Sequence, residues 1–63
     1  MKIGIDCRLW NETGVGRYIR NLVTQLAEID QKNDYIIFLK RQEYESIVTP
    51  GNNFRKRFYS AHL

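Results

Sequence analysis

The fold of this chain is decided by residues 1–20, which read MKIGIDCRLWNETGVGRYIR. The short apolar run Ile3-Gly4-Ile5 predicts a buried strand that ends near Asp6, and a polar loop follows it. The glycine pair Gly14 and Gly16 then opens a helical pattern. The first N–H groups of a helix lack intrahelical partners and carry about half a positive charge. A strand, a loop, a glycine pair and a helix N-terminus are together typical of an anion site.

The segment after the loop predicts a helix from Gly14 to Ile29. Apolar residues recur there at helical spacing, and polar residues fill the opposite face; the apolar set is Val15, Tyr18, Ile19, Leu22, Val23, Leu26 and Ile29. Asn11 and Thr13 are candidates for the N-cap. Asn33 is a candidate for a left-handed residue after the helix.

Residues 35–39, YIIFL, predict a second strand, and a continuous apolar run of this kind is typical of a parallel strand covered on both faces. Tyr44, Ile47 and Val48 suggest a short helix, residues 50–53 predict a turn, and residues 54–63 are a candidate third strand. We expect the strands at 2–6 and 35–39 to be adjacent and parallel, with the long helix as their crossover. Leu22 and Phe38 are expected in the common core.

Composition limits the classes of protein to consider. The chain has 63 residues, 43% of them hydrophobic, which is typical of one small folded unit rather than a disordered tail. A single cysteine excludes an internal disulfide, and Cys and His are too few for a structural zinc site. We predict no metal site and no cofactor. The sequence has no apolar run long enough to predict a signal peptide or a membrane span, and we therefore expect a cytoplasmic protein. The net charge of +3 permits an acidic partner without requiring one.

Residues 1–8, 13–22 and 33–35 resemble the N-terminus of family 4 retaining glycosyltransferases (glycosyl transferase group 1). The resemblance covers residues 1 to 40, and the order and spacing of strand, glycine pair, Arg-Tyr and second strand carry it. Position 7 is more often alanine in that family, and Cys7 is small and apolar enough to pack there. The resemblance implies an α/β fold: an incomplete Rossmann-like βαβ unit with parallel strands. Residues 1–63 would then be part of the N-terminal, acceptor-side domain of a glycosyltransferase B fold.

The resemblance also implies an activity. Such enzymes transfer a hexosyl unit from a nucleotide diphosphate sugar to the hydroxyl of a sugar or lipid-linked acceptor, with retention at the anomeric carbon. Their second domain holds most of the donor, and residues 1–63 contain no counterpart of it. The catalytic-region histidine of the family comes later in the first domain, and His62 does not match it. We therefore expect an N-terminal fragment that is inactive by itself, and no catalytic residue is assigned within it.

Four residues at the start of the helix are predicted to bind substrate: Gly14, Val15, Gly16 and Arg17. Glycines would let a donor diphosphate or acceptor sugar approach the backbone closely. The alternative is a loop that simply closes onto a helix, and the resemblance favours the binding role. The pattern is not a dinucleotide fingerprint, because Ile19 occupies the third glycine position.

Neighbouring residues keep two interpretations each. Asp6 either faces a ligand or caps nearby N–H groups, and the cap is favoured. Arg8 and Arg17 either contact phosphate or pair with Asp6 or Glu12. Trp10 either stacks on a sugar or packs over the helix start, and packing is favoured.

The basic run at 55–57 has aromatic neighbours and is either a nucleic-acid patch or a solvated strand edge, and the edge is favoured. A competing function for the whole chain is a non-catalytic, self-associating βαβ module that binds a small anion or an acidic partner. Two or three strands with one long helix leave a sheet face uncovered, so self-association is expected.

Overall fold

The computed structural model of the protein describes residues 1–58, which form three strands and two helices. The elements are β1 (Lys2–Asp6), α1 (Gly14–Ile29), β2 (Asp34–Leu39), α2 (Arg41–Tyr44) and β3 (Phe54–Phe58). The predicted first strand and the bounds of the long helix are confirmed, and the second strand begins one residue earlier than predicted. The third strand is confirmed at 54–58, and residues 59–63 lie outside the described part.

The three strands form one parallel sheet in the order β1-β2-β3, so β2 is central. The register pairs Ile3 with Tyr35 and Tyr35 with Phe54. The strands at 2–6 and 35–39 are therefore adjacent and parallel. This confirms the prediction made from two apolar runs separated by a segment with helical periodicity. The chain is a mixed α/β unit of the β-α-β type.

One face of the sheet carries the core. Its buried side chains come from the loop, α1, β2 and β3: Cys7, Val23, Tyr35, Ile37, Leu39 and Phe54. The Tyr35 and Phe54 rings stack there with centroids 4.6 Å apart. Ile19 and Leu26 of α1 and Ile47 after α2 pack against this cluster, so both helices cover the same face.

The expectation that Leu22 and Phe38 share the core is wrong. Side chains alternate along a strand, so burial of Ile37 turns Phe38 to the opposite face. The Phe38 ring lies over β1 there, where a Cβ added to Gly4 would come within 3.1 Å of Phe38 Cε2. Val23 takes the buried helix position, and Leu22 is partly exposed.

The ends of α1 differ from the predicted caps. Thr13 occupies the N-cap position in a helical conformation, and its side chain makes no capping hydrogen bond. Asn33 does not take a left-handed conformation, since no residue from 1 to 58 has a positive φ. The C-cap is Asp30, whose carboxylate accepts the backbone N–H groups of Lys32 and Asn33 at 3.0 and 3.1 Å.

Asp30 also ties α1 to β2. Its carboxylate accepts the Asn33 side-chain amide at 2.8 Å and the Tyr35 hydroxyl at 2.5 Å. These hydrogen bonds, that of Tyr35 first, hold the pKa of Asp30 well below its usual range and raise the pKa of Tyr35. The Asn53 amide donates to the backbone oxygens of Asp30 and Asn33, at 3.0 and 2.8 Å, and so joins the β3 end of the chain to this junction.

Candidate functional site

The loop from Cys7 to Thr13 joins the carboxyl end of β1 to α1 and is built from successive turns. The Cys7 N–H extends the sheet by donating to Phe38 O at 2.7 Å, and the Trp10 N–H donates to Cys7 O at 3.1 Å. The Glu12 N–H then donates to Leu9 O at 3.0 Å. Burial and the nearby Asp6 charge raise the pKa of Cys7 to about 11, so this thiol is packing rather than a nucleophile.

Gly16 is the point where this loop packs on α1. An added Cβ would lie 2.5 Å from Trp10 O and 2.8 Å from Leu9 O, which are backbone atoms. The Arg20 guanidinium donates to Trp10 O, and the Trp10 side chain is partly buried against the core. The packing interpretation of Trp10 is therefore favoured, and Gly16 has a structural role whatever the site binds.

The other three predicted site residues lie on the outside of the first turn of α1. Nothing lies within 4 Å of the position a Gly14 Cβ would take. Val15 is 45% exposed and the Arg17 side chain is exposed. No acidic residue lies in this turn, so the positive end of the helix has no carboxylate of its own there.

Asp6 and Arg8 form an ion pair at the carboxyl end of β1. Arg8 Nη2 lies 2.8 Å from Asp6 Oδ2, and Arg8 Nε lies 2.9 Å from Asp6 Oδ1. The Arg8 backbone N–H also donates to Asp6 Oδ1 at 3.1 Å, so the same carboxylate both caps and pairs. These contacts, chiefly the side-chain hydrogen bond, lower the pKa of Asp6.

A cleft of about 260 Å³ opens beside this ion pair, at the edge where the parallel strands end. Its lining residues come from β1, the loop, α1 and the residue after β2: Asp6, Arg8, Leu9, Ile19 and Lys40. Sequence reasoning missed Lys40 as a site residue. The signal was present, because Lys40 directly follows a predicted parallel strand, and ligands of α/β sheets bind at that edge.

The rest of the described chain adds no metal site. No three His, Cys, Asp or Glu side chains of residues 1–58 are grouped so that they could hold a metal ion. None of the helices in this range has the length and apolarity needed to cross a membrane. The chain matches no protein-family model, no curated protein and no solved structure.

Proposed function

We propose that this chain is the N-terminal, acceptor-side part of a retaining glycosyltransferase with the glycosyltransferase B fold. The proposed reaction moves a sugar from a nucleotide diphosphate sugar to an acceptor hydroxyl. The observation that carries the proposal is the edge of the sheet where β1 ends. There the loop leads into an open helix N-terminus, and the cleft holds two cationic side chains, Arg8 and Lys40. The motif order in residues 1–40 supports the same assignment.

Each part of this edge has a role in the proposed reaction. The N–H groups of Gly14 and Val15 and the Arg17 guanidinium would bind a phosphate or sugar oxygen. Lys40 and Arg8 make the cleft attractive to anions, although Asp6 offsets the Arg8 charge. The leaving diphosphate develops negative charge during transfer, and positive groups fixed near it lower the barrier.

The 63-residue chain is expected to show no transfer by itself, because the proposed donor-binding half is not in it. The first test is the reading frame. Continuation of the coding sequence into a domain with two glutamates in an E-x(7)-E pattern would support the proposal. A reading frame that continues into an unrelated domain, or sugar transfer by the purified 63 residues, would contradict it.

The second test uses the complete protein and its donor sugar, with substitutions at Gly14 and Arg17. Gly14→Val places bulk at an open position of the helix start, and Arg17→Ala removes one charged contact. A charged hydrogen bond contributes about 1.5–3 kcal/mol, so Arg17→Ala should lower kcat/KM by about 10- to 150-fold. Lys32→Ala, which removes an exposed cation after the far end of α1, is the matched control and should leave kcat/KM unchanged. Wild-type kcat/KM in both site variants would exclude the helix start as the binding site.

A self-associating, non-catalytic module is the second candidate. Exposed apolar side chains along α1 favour it: Val15, Tyr18 and Ile29 are 45%, 67% and 80% exposed. Sedimentation of the 63-residue chain over a hundredfold range of concentration tests this reading. A monomer at every concentration would contradict self-association and would leave the transferase proposal untouched.

A further inference from the structure

Arg20 joins the second turn of α1 to the loop that precedes the helix. Its guanidinium donates to Trp10 O, and its side chain is half-buried. No carboxylate of residues 1–58 forms an ion pair with Arg20. The charged group of Arg20 is therefore directed at the backbone of the loop rather than at an acidic side chain.

Trp10 O depends on this contact. The neighbouring carbonyl, Leu9 O, accepts the Glu12 N–H at 3.0 Å. Among residues 1–58, the donor to Trp10 O is Arg20. Trp10 O lies against α1, 2.5 Å from the position that a Cβ on Gly16 would take. Loss of the guanidinium would leave this packed oxygen without a donor, which is costly for a polar group withdrawn from water.

The loop that Arg20 holds borders both parts of the candidate site. Leu9 lines the cleft at the carboxyl end of β1, and Leu9 O lies beside Gly16, as Trp10 O does. Ile19, the residue before Arg20, lines the same cleft. The position of the loop therefore decides how the cleft and the start of α1 lie relative to each other.

Arg20 and the proposed binding residues point in different directions from α1. Successive helix residues are rotated by about 100°, so Arg20 lies about 40° from Gly16 and about 120° from Gly14. Arg17 is exposed on the side of Gly14, whereas Arg20 is half-buried on the side of Gly16. This placement favours an effect of Arg20 through the loop over direct contact with a bound anion.

We propose that Arg20 is a positioning residue of the candidate site. It holds Trp10 O against Gly16 and so keeps the start of α1 where the N–H groups of Gly14 and Val15 can meet phosphate oxygens of a nucleotide diphosphate sugar. Its charge also offsets the partial negative charge of Trp10 O, which would repel a phosphate near the helix start. This inference rests on the proposed function, which assigns the helix start to substrate binding.

The first measurement follows the loop without any added molecule. Trp10 is the only tryptophan, so its emission maximum and its quenching by acrylamide report the loop in the 63-residue chain. Arg20→Met keeps an unbranched apolar stem and removes every donor, and it should shift the emission to the red and increase quenching. Arg20→Lys should change neither property, because one ammonium donor suffices for one carbonyl oxygen.

Arg17→Met is the matched control for this measurement, since it changes an exposed arginine one turn earlier on the same helix. It should leave the emission and the quenching of Trp10 unchanged. Circular dichroism checks that each variant is folded. A folded Arg20→Met chain with the Trp10 properties of the unchanged chain would overturn the proposal, whatever the complete protein catalyses.

The second measurement titrates the isotope-labelled chain with inorganic pyrophosphate, the group that nucleotide diphosphate sugars share. The amide shifts of Gly14 and Val15 give its dissociation constant. Arg20→Met should raise this constant by about 10- to 100-fold, because the binding groups are misplaced, and Arg20→Lys should restore most of the affinity. Lys32→Met removes the same charge beyond the far end of α1 and should leave the affinity unchanged.

The titration separates failure of this inference from failure of the proposed site. Equal affinity in Arg20→Met and the unchanged chain would overturn the role of Arg20 and leave the proposed function in place. An equal loss in Arg20→Met and Lys32→Met would show that net charge decides binding, and the positioning role would fail. If the unchanged chain shows no shift at Gly14 and Val15, the helix start does not bind the anion and this inference fails with it. The reading-frame test of the transferase then still stands.

Side-chain resonances distinguish positioning from direct contact and need no variant. In the titration of the unchanged chain, the Arg17 Nε–H should shift, since Arg17 is proposed to bind phosphate, and the Arg20 Nε–H should not. These resonances also decide the question if Arg20→Met does not fold. A shift of the Arg20 Nε–H as large as that of Arg17 would make Arg20 a binding residue and would overturn the positioning role.

Discussion

Gly14 and Gly16 lie two residues apart in the first turn of α1, and the same substitution should have opposite effects at the two positions. Neither glycine has a positive φ, so alanine suits the backbone conformation at both. The difference is space. No atom lies within 4 Å of a Cβ added at position 14, whereas a Cβ added at position 16 would lie 2.5 Å from Trp10 O.

The magnitude follows from these distances. Gly14→Ala should raise the free energy of unfolding by about 0.5 kcal/mol, since alanine is the better helix former and restricts the unfolded chain. Gly16→Ala gains the same helix-forming free energy. However, the loop must move by roughly 0.9 Å to bring Trp10 O to van der Waals distance from the new Cβ, in a closely packed region. That movement strains packing by about 1–3 kcal/mol and loosens the Arg20 bond to Trp10 O. We expect a net loss of about 2 kcal/mol for Gly16→Ala.

Urea unfolding of the 63-residue chain measures the difference, with Trp10 fluorescence and far-UV circular dichroism as probes. Trp10 is the only tryptophan and lies in the loop that must move, so its native emission should shift to the red in Gly16→Ala alone. The two variants should melt roughly 10–20 °C apart in a domain of this size. If Gly16→Ala is as stable as Gly14→Ala, the loop does not pack on α1 as described, and the structural role of Gly16 is wrong.

Three further predictions use matched measurements. The Cys7 thiol, with its pKa at about 11, should react with iodoacetamide at pH 8 about a hundredfold more slowly in the native chain than in urea; equal rates would show that it is not buried. The lowered pKa of Asp30 contributes stability that is present above its unfolded value and lost as pH falls below about 4, so Tyr35→Phe, which removes the main cause, should flatten this acid slope. An unchanged slope in titrations from pH 7 to 2 would refute that link. Ile37→Ala should cost about 2–5 kcal/mol, and Ile36→Ala clearly less, because Ile37 is 0% exposed and Ile36 lies partly exposed on the opposite face of the sheet; equal losses in urea titrations would contradict the burial pattern.

The order and bounds of the main elements could be predicted because they depend on local patterns. The apolar period from Val15 to Ile29 defines α1, and residues 35–39 form a short apolar run rich in strand-forming residues, which favours a strand. Parallel pairing of β1 and β2 then follows from the length of the helix between them. These features need only short-range periodicity and the rules of chain connection.

Which side chains of a strand or helix face the core could not be predicted in the same way. A continuous apolar strand has no polar residue to mark its outer face, so the sequence does not say whether Ile37 or Phe38 faces α1. The helix poses the same problem, because Leu22 and Val23 both lie in its apolar arc and the structure buries only Val23. Tertiary packing decides both cases, since Ile37 and Val23 share one buried cluster and the Phe38 ring lies over Gly4 on the other face.

The candidate site was predicted as one group of four residues, and the structure divides these residues into two parts with different surroundings. Gly16 faces inward against two carbonyl oxygens of the loop, which would repel an anion on that side of the turn. Gly14 and Arg17 are three residues apart, so they share a face of α1, and that face is open. A phosphate that approaches there would meet N–H groups and a guanidinium without meeting the loop carbonyls. In the proposed site, Gly16 would therefore position the helix start, and Gly14, Val15 and Arg17 would contact the ligand.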